Sequence, residues 1–437
     1  MSKVGTYNKY KHSGLNWLGD VPQHWEVLRV KDIVQRIGSG VTPLGGSEVY
    51  VDNGITFIRS QNVYDDGLRL DDVSFITNEV HKKMKSSQLK PNDILINITG
   101  ASIGRTCIVP SNIPTANINQ HIIYLRFKPK YVPFIANYFK TISIKDYINL
   151  IQAGTSKEAL NLGQTLNTAL ILPPLTEQTQ IANYLDTKTQ AIDKKINLLT
   201  TKIEYYKELR KTIINNAVTK GLDKNVKLKE SELGLKPSHW TISRLKEVSK
   251  TMSSGATPLT NIDAYYEDGI VNWVNTGDLN DGIVESCQYK ISQLAINDYP
   301  NLKVNKPGTL MIAMYGATIG KIGLLNIYAT TNQACCCINF NKHNFSKFYF
   351  YWFLAYKQFM ISLSVGGTQP NVGQGIIGKM LVAVPPIKEQ TEIATYLDAK
   401  TNTIDKITTN LQTQIETLKE LRKTLINDVV TGKVKVN

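Results

Sequence analysis

Residues 177–189 read EQTQIANYLDTKT, and residues 389–401 read EQTEIATYLDAKT. The match runs without a gap to positions 220 and 432 at an offset of 212, with 27 of the 44 aligned positions identical. Both copies follow a Pro-Pro pair, Pro173-Pro174 or Pro385-Pro386, and both later read KELRKT. Proline is tolerated in the first turn of a helix and disfavoured inside one, so each pair marks a helix start. Glu177 and Glu389 fall near those starts, where a negative charge suits the helix dipole. From there apolar positions recur in steps of four and three. Leu185, Ile192, Leu199, Tyr206 and Ile213 share one heptad position in the first copy, and Thr189, Ile196, Ile203, Arg210 and Ala217 share the other. In the second copy Leu397, Ile404, Leu411, Leu418 and Leu425 pair with Thr401, Thr408, Ile415, Arg422 and Val429. Five heptads without internal glycine or proline predict a coiled-coil helix of about 44 residues, roughly 65 Å long. With two such seams in one chain, the natural partner of each helix is the other. Arg210 and Arg422 interrupt otherwise apolar seams, either to fix register and orientation or to face a partner protein.

The repetition extends upstream. Pro22-x-x-Trp25 returns as Pro237-x-x-Trp240, and Gly40-x-Thr42-Pro43 as Gly255-x-Thr257-Pro258. Gly100-Ala-Ser-Ile-Gly104-Arg105 returns as Gly316-Ala-Thr-Ile-Gly320-Lys321. Solenoid repeats have periods of roughly 20–50 residues, so this spacing means whole domains in tandem. Short apolar bursts between Gly, Asn, Asp and Pro, such as Ile55-Thr-Phe57-Ile58, read as strands. Stretches 131–151 and 345–363, rich in Tyr, Phe and Ile, suit amphipathic helices. The expected fold is α+β: two tandem mixed α/β domains separated by two long antiparallel coiled-coil helices, with pseudo-two-fold symmetry. The expected order is a globular domain over 1–172, a helix over 173–222, a linker over 223–230, a second domain over 231–384 and a second helix over 385–437.

Composition narrows the class. The chain has 437 residues, consistent with two to four domains, and a 42% hydrophobic fraction that suits soluble cores. No run approaches the roughly 18 apolar residues of a membrane span. The N-terminal stretch lacks the apolar core of a secretory signal, so the expected location is the cytoplasm, away from membranes. The five cysteines, three of them adjacent at Cys335-Cys336-Cys337, include no C-x-x-C pair. They read as buried thiols and not as a metal site or a disulfide framework. Fifty Lys and Arg against 36 Asp and Glu leave a net charge of +14, which favours a polyanionic partner.

No motif carries catalysis. The turn at Gly316–Lys321 has three residues between its glycines and Ile322 after its lysine. A phosphate loop needs four residues there and then a Ser or Thr for magnesium. No G-x-G-x-x-G opens a helix, and His24 and His239 recur without a second ligand at metal spacing. Asp93 follows Pro91 as in some nucleases, but the second copy reads Pro307-Gly308-Thr309 and loses the acid. The glycine turns instead carry a basic residue in both copies, Arg105 and Lys321, as contacts to phosphate require. Residues that differ inside the shared framework are the candidates for reading bases. Arg59-Ser60-Gln61-Asn62 aligns with Asn275-Thr276-Gly277-Asp278 after a shared apolar burst. Arg pairs with guanine and Asn or Gln with adenine in the major groove. The DNA-binding candidates are therefore Arg59, Gln61, Asn62, Arg105, Asn275, Thr276, Asp278 and Lys321.

These matched features resemble the specificity subunit of Type I restriction-modification systems over essentially the whole chain. The resemblance implies a non-catalytic protein with two target-recognition domains, each reading one half of a split, asymmetric site in double-stranded DNA. It implies two modification (methyltransferase) subunits and motor-nuclease restriction subunits as partners. S-adenosylmethionine, ATP and magnesium would act on those subunits, and this chain would hold no cofactor and no metal. Two other readings remain: a methyltransferase or nuclease acting alone, and a coiled-coil scaffold with no DNA role. Binding of S-adenosylmethionine by the isolated chain marks the first, and absence of salt-dependent DNA affinity the second.

A fragment ending near Leu222 keeps one domain and one complete helix. Two copies are expected to pair antiparallel through Leu185, Ile192, Leu199, Tyr206 and Ile213, more weakly where Tyr206 replaces Leu418. Such a dimer presents the same reader twice in opposite orientation, so its target becomes a palindrome of the first half-site. Sedimentation with the modification subunits and a methylation map test this. A stable one-domain complex that modifies the parent's asymmetric site would contradict it.

Overall fold

The computed structural model describes residues 4–152, 159–364 and 370–436. The two long helices form where the proline pairs place them, over Leu175–Lys220 and Ile387–Val430, with 46 and 44 residues. The amide of Gln178 closes the first turn on the Pro174 carbonyl, and Gln390 does the same on Pro386, each at 3.0 Å. Their side chains donate back to Pro173 at 2.7 Å and Pro385 at 2.8 Å, so the repeated glutamine serves each helix start. Among the described residues no helix is long and apolar enough to cross a membrane.

The chain divides into two compact units, Met1–Thr200 with Thr413–Asn437, and Thr201–Gln412. Each unit therefore holds one globular part with stretches of both long helices, a division that chain order does not suggest. In the first unit a four-stranded antiparallel sheet has the order Thr106–Ile108, Ile94–Asn97, Ile122–Arg126, Arg36–Ser39. Beside it stands a three-stranded sheet in which Ile55–Ile58 lies parallel to Ala116–Ile118 and antiparallel to Ser74–Ile76. Glu26–Arg29 pairs with Ala169–Leu172, which closes the domain just before the first long helix. The second unit repeats each part. Its five-stranded sheet adds Gly282–Val284 at one edge. Val271–Val274 runs parallel to Ala329–Thr331, and Thr241–Arg244 pairs with Leu381–Val384.

Within each unit the helices pair antiparallel. In the first, Ile181 and Leu185 share a core with Ile426, Val429 and Val430, while Asp193 meets Arg422. In the second, Ile214, Ala217 and Val218 share a core with Ile393 and Leu397, while Arg210 meets Asp405. Of the heptad residues, Leu185, Leu397, Ile404 and Leu411 are buried, and Ile192, Leu199, Tyr206, Ile213, Leu418 and Leu425 are partly buried. The seam arginines form ion pairs across the helices, Arg210 through Nε and Nη2 and Arg422 through Nε alone to both carboxylate oxygens. The Arg210 distances to Asp405 are 3.0 and 3.4 Å, and the Arg422 distances to Asp193 are 3.0 and 3.3 Å. The repeated Ile-Asp-Lys of one helix thus faces the repeated Leu-Arg-Lys of the other, which fixes register by charge pairing.

A clasp ties each domain to both helices. In the first unit His24 lies 2.8 Å from Glu177, and Tyr7 also donates to that carboxylate. Gly432 sits so close that a Cβ there would come within 2.4 Å of Pro22 and 3.2 Å of Trp25. In the second unit His239 lies 2.8 Å from Glu389, and Trp240 Nε1 donates to it at 3.1 Å. Gly221 takes the place of Gly432, with a notional Cβ 2.9 Å from Glu389 and 3.5 Å from Trp240. Both glycines have φ near +75° to +78°, so the left-handed backbone and the close packing call for glycine together.

The acid at Asp93 is structural. It is fully buried and accepts from Arg126 at 2.6 and 2.7 Å and from the Lys90 amide at 2.7 Å. The hydrogen bond to Asp93 raises the Arg126 pKa above its usual value. In the second unit the pair becomes neutral, with Thr309 donating to Asn339 at 2.9 Å. The thiols at Cys335, Cys336 and Cys337 are buried in a strand, as is Cys107, whose pKa burial pushes up to about 12. Asp93→Thr alone strands the Arg126 charge and is expected to cost about 3–5 kcal/mol. Adding Arg126→Asn recreates the second unit's pair and should recover most of that loss in a denaturant titration.

Candidate nucleic-acid interface

In each unit the three-stranded sheet ends in the loop whose sequence differs between the copies. Strand Ile55–Ile58 leads into a 3₁₀ turn over Ser60–Asn62, and Val271–Val274 into one over Thr276–Asp278. Asn62 does not face outward. It is 2% exposed, accepts from the Arg59 amide at 2.9 Å, and donates to the Arg69 and Asp72 carbonyls at 3.0 and 2.9 Å. Asp278 has the same post: it accepts from the Asn275 amide at 2.8 Å and from the Gln288 amide at 3.2 Å. The expectation that Asn62 reads bases is corrected, because its side chain is buried and its polar atoms are used inside the turn, whereas Asp278 stays partly exposed. Asn and Asp differ there without a change of role.

The remaining loop candidates stay accessible. Gln61 is exposed and donates to Asp72 at 3.0 Å, and the Arg59 guanidinium lies 3.9 Å from the same carboxylate. Asp72 is 86% exposed, so these contacts are weak and replaceable. Asn275 and Thr276 are partly exposed at the equivalent edge.

The glycine turns are built alike. Gly100, Gly104, Gly316 and Gly320 all take positive φ between 66° and 76°. The Gly104 and Gly320 amides donate back to Asn97 and Ala313 at 2.8 and 2.9 Å. An aspartate holds each turn in place. Asp65 accepts from the Thr106 amide at 2.9 Å and pairs with Lys145. Asp281 accepts from the Ile322 amide at 3.1 Å and pairs with Lys357 at 2.6 Å. Sequence reading passed over these residues, although an aspartate recurs three residues after Asn62 and after Asp278.

The two basic ends of these turns differ in setting. The Arg105 guanidinium lies 4.8 Å over the Tyr64 ring, in a first-unit cleft of about 1140 Å³. Asp65, Asp66, Asp193, Glu416 and Glu420 line that cleft along with Lys419, Arg422 and Lys423. Asp65, Asp66, Asp193 and Glu420 are already paired with Lys145, Arg69, Arg422 and Lys423, and the Arg105 side chain is partly exposed. Lys321 is partly exposed and has no carboxylate partner among the described residues.

Residues 22–204 and 237–417 match the family model of the Type I restriction modification DNA specificity domain. The Type I restriction enzyme MjaVIII specificity subunit of Methanocaldococcus jannaschii is 23% identical, over 95% of this chain and 94% of its own. The EcoKI specificity subunit of Escherichia coli K12 is 21% identical, over 92% and 88%. The fold is shared with a chain from a structural study of type I R-M complex assembly and conformational transition. That chain has a TM-score of 0.72 at 16% identity, over 94% of this chain and 98% of its own. The HsdS subunit of Thermoanaerobacter tengcongensis aligns with a TM-score of 0.55 at 15% identity, over 94% and 98%. Two family domains, each ending in a long helix that begins at a proline pair, account for nearly the whole chain, which belongs to the Type I restriction-modification DNA specificity family.

Proposed function

We propose that this chain is the non-catalytic reader of a Type I restriction-modification complex in the cytoplasm. Each unit reads one half of a split, asymmetric duplex site. Two modification subunits and the motor-nuclease subunits assemble on the chain and supply the chemistry with S-adenosylmethionine, ATP and magnesium. The observation that carries this reading is the division of labour inside the repeat. Clasp, helix start and seam arginines recur as a rigid frame, whereas the loops at Arg59–Gln61 and Asn275–Thr276 differ at one place in that frame. Linking two modules raises the effective concentration of the second half-site, provided that its spacing fits. The reading as a lone enzyme loses its best candidate, because Asp93 is committed to Arg126.

Exchanging residues 26–172 for 241–384 tests the proposal. The half-site specificities should exchange while assembly persists, as read from a methylation map. A chain that assembles normally and keeps the original target order would refute reading by autonomous domains. Lys321→Ala should weaken binding to all sequences and flatten the slope of log affinity against log salt by about one unit. Arg105→Ala should do the same. Titration of labelled duplex at several salt concentrations reads both, and a change in base preference alone would refute the phosphate assignment.

A further inference from the structure

Leu44 is 99% exposed, and Leu259, its counterpart in the second unit, is 58% exposed. Each follows the Gly-x-Thr-Pro motif. Isolated exposed leucines need no explanation. Here the same apolar residue is held out at the same place in two modules whose neighbouring loops differ. The turn that holds it is rigid. A Cβ on Gly40 would come within 1.9 Å of the Asn119 carbonyl oxygen, and one on Gly255 within 1.6 Å of that of Thr331. Pro43 and Pro258 are buried, while the threonine before each and the leucine after it point to solvent. The Gly46 amide donates to Pro43 at 2.9 Å, and Tyr266 donates to Pro258 at 2.6 Å.

The turn also stands beside the reading loop. The Asn119 amide donates to the Ile58 carbonyl at 3.0 Å, and the Asn332 amide to that of Val274 at 3.1 Å. The strand end that Gly40 or Gly255 packs against is thus hydrogen-bonded to the one from which Arg59 or Asn275 departs. An exposed glutamine follows in both units, Gln120 and Gln333, and Thr257 donates to Gln333. Each variable loop is therefore flanked by one constant apolar finger and one constant amide. A protein partner would call for several apolar side chains in a patch. Leu44 instead has the 40% exposed Val41 as its apolar neighbour in the turn, beside exposed Thr42 and the glycines at 45 and 46, and Leu259 stands between exposed Thr257 and Thr260. So small an apolar point on a rigid turn suits a nucleic-acid groove, where apolar side chains wedge between base steps.

We propose that Leu44 and Leu259 are DNA-contacting residues, each inserted into a groove of the duplex to seat its module whatever bases the adjacent loop reads. This rests on the DNA-reading function proposed above. The test uses the full chain assembled with its modification subunits. It compares Leu44→Ala, Leu259→Ala and the double variant with wild type on two duplexes. One carries the site found by methylation mapping and the other an unrelated sequence. Each single change should weaken binding to both duplexes by about tenfold, the scale of one lost base contact. Melting temperature and subunit assembly should not change, since these side chains bury little. Wild-type affinity in the double variant overturns the inference and leaves DNA reading intact. Variants that hold DNA but lose subunits also overturn it, by assigning the leucines to a protein contact. A wild-type assembly that binds neither duplex removes the DNA-reading function and this inference together.

Discussion

The frame depends on a carboxylate at the start of each long helix. Glu177 and Glu389 sit where the helix dipole favours negative charge, and each is largely withdrawn from water. A carboxylate in that position needs donors, and the domain supplies them through His24 and Tyr7 or through His239 and Trp240. Because Tyr7 serves the first carboxylate, Trp25 Nε1 is left without a partner, whereas Trp240 uses its indole nitrogen directly. One design is met by two different donor sets. The glycine that follows the other helix then seals the clasp against the same proline and tryptophan.

This arrangement explains why so many short motifs are repeated together. Pro-x-His-Trp, Glu-Gln-Thr and the glycine after the helix meet at one place in each unit. Ile-Asp-Lys and Leu-Arg-Lys meet at another. Each antiparallel pairing joins a motif from one copy to a motif from the other, as Asp193 meets Arg422 and Arg210 meets Asp405. The ion pairs across the seam are partly exposed and individually weak, and their value lies in setting register.

The same framework sorts constant from variable roles more finely than a comparison of the copies does. Asn62 and Asp278 differ, yet both cap a turn, because either side chain offers an acceptor to a backbone amide. Asp93 with Arg126 and Thr309 with Asn339 also differ, yet each pair satisfies the same buried position. Val21 and Lys236 precede the prolines of their clasps and are both buried. Lys236 manages this by donating to the Leu233 and Leu235 carbonyls, and burial lowers its pKa. Difference between the copies marks a reading residue only where the side chain also faces outward.

From the sequence by itself came the tandem repeat, the mixed domains, the first long helix to within two residues at each end, the start of the second, the heptad seam and the family. These rest on local signals: proline at a helix start, apolar spacing of three and four, and glycine where φ is positive. The second helix, expected to reach 437, instead stops at Val430, and Lys435–Val436 pairs as a strand with Val4–Gly5. Tertiary structure alone decided that the last stretch of the chain packs into the first unit, so that Gly432 meets Pro22 and Arg422 meets Asp193. It alone turned Asn62 inward and left Leu44 exposed beside the reading loop. Burial and hydrogen-bond partners come from residues far apart in the chain, and no spacing along a single strand or helix encodes them.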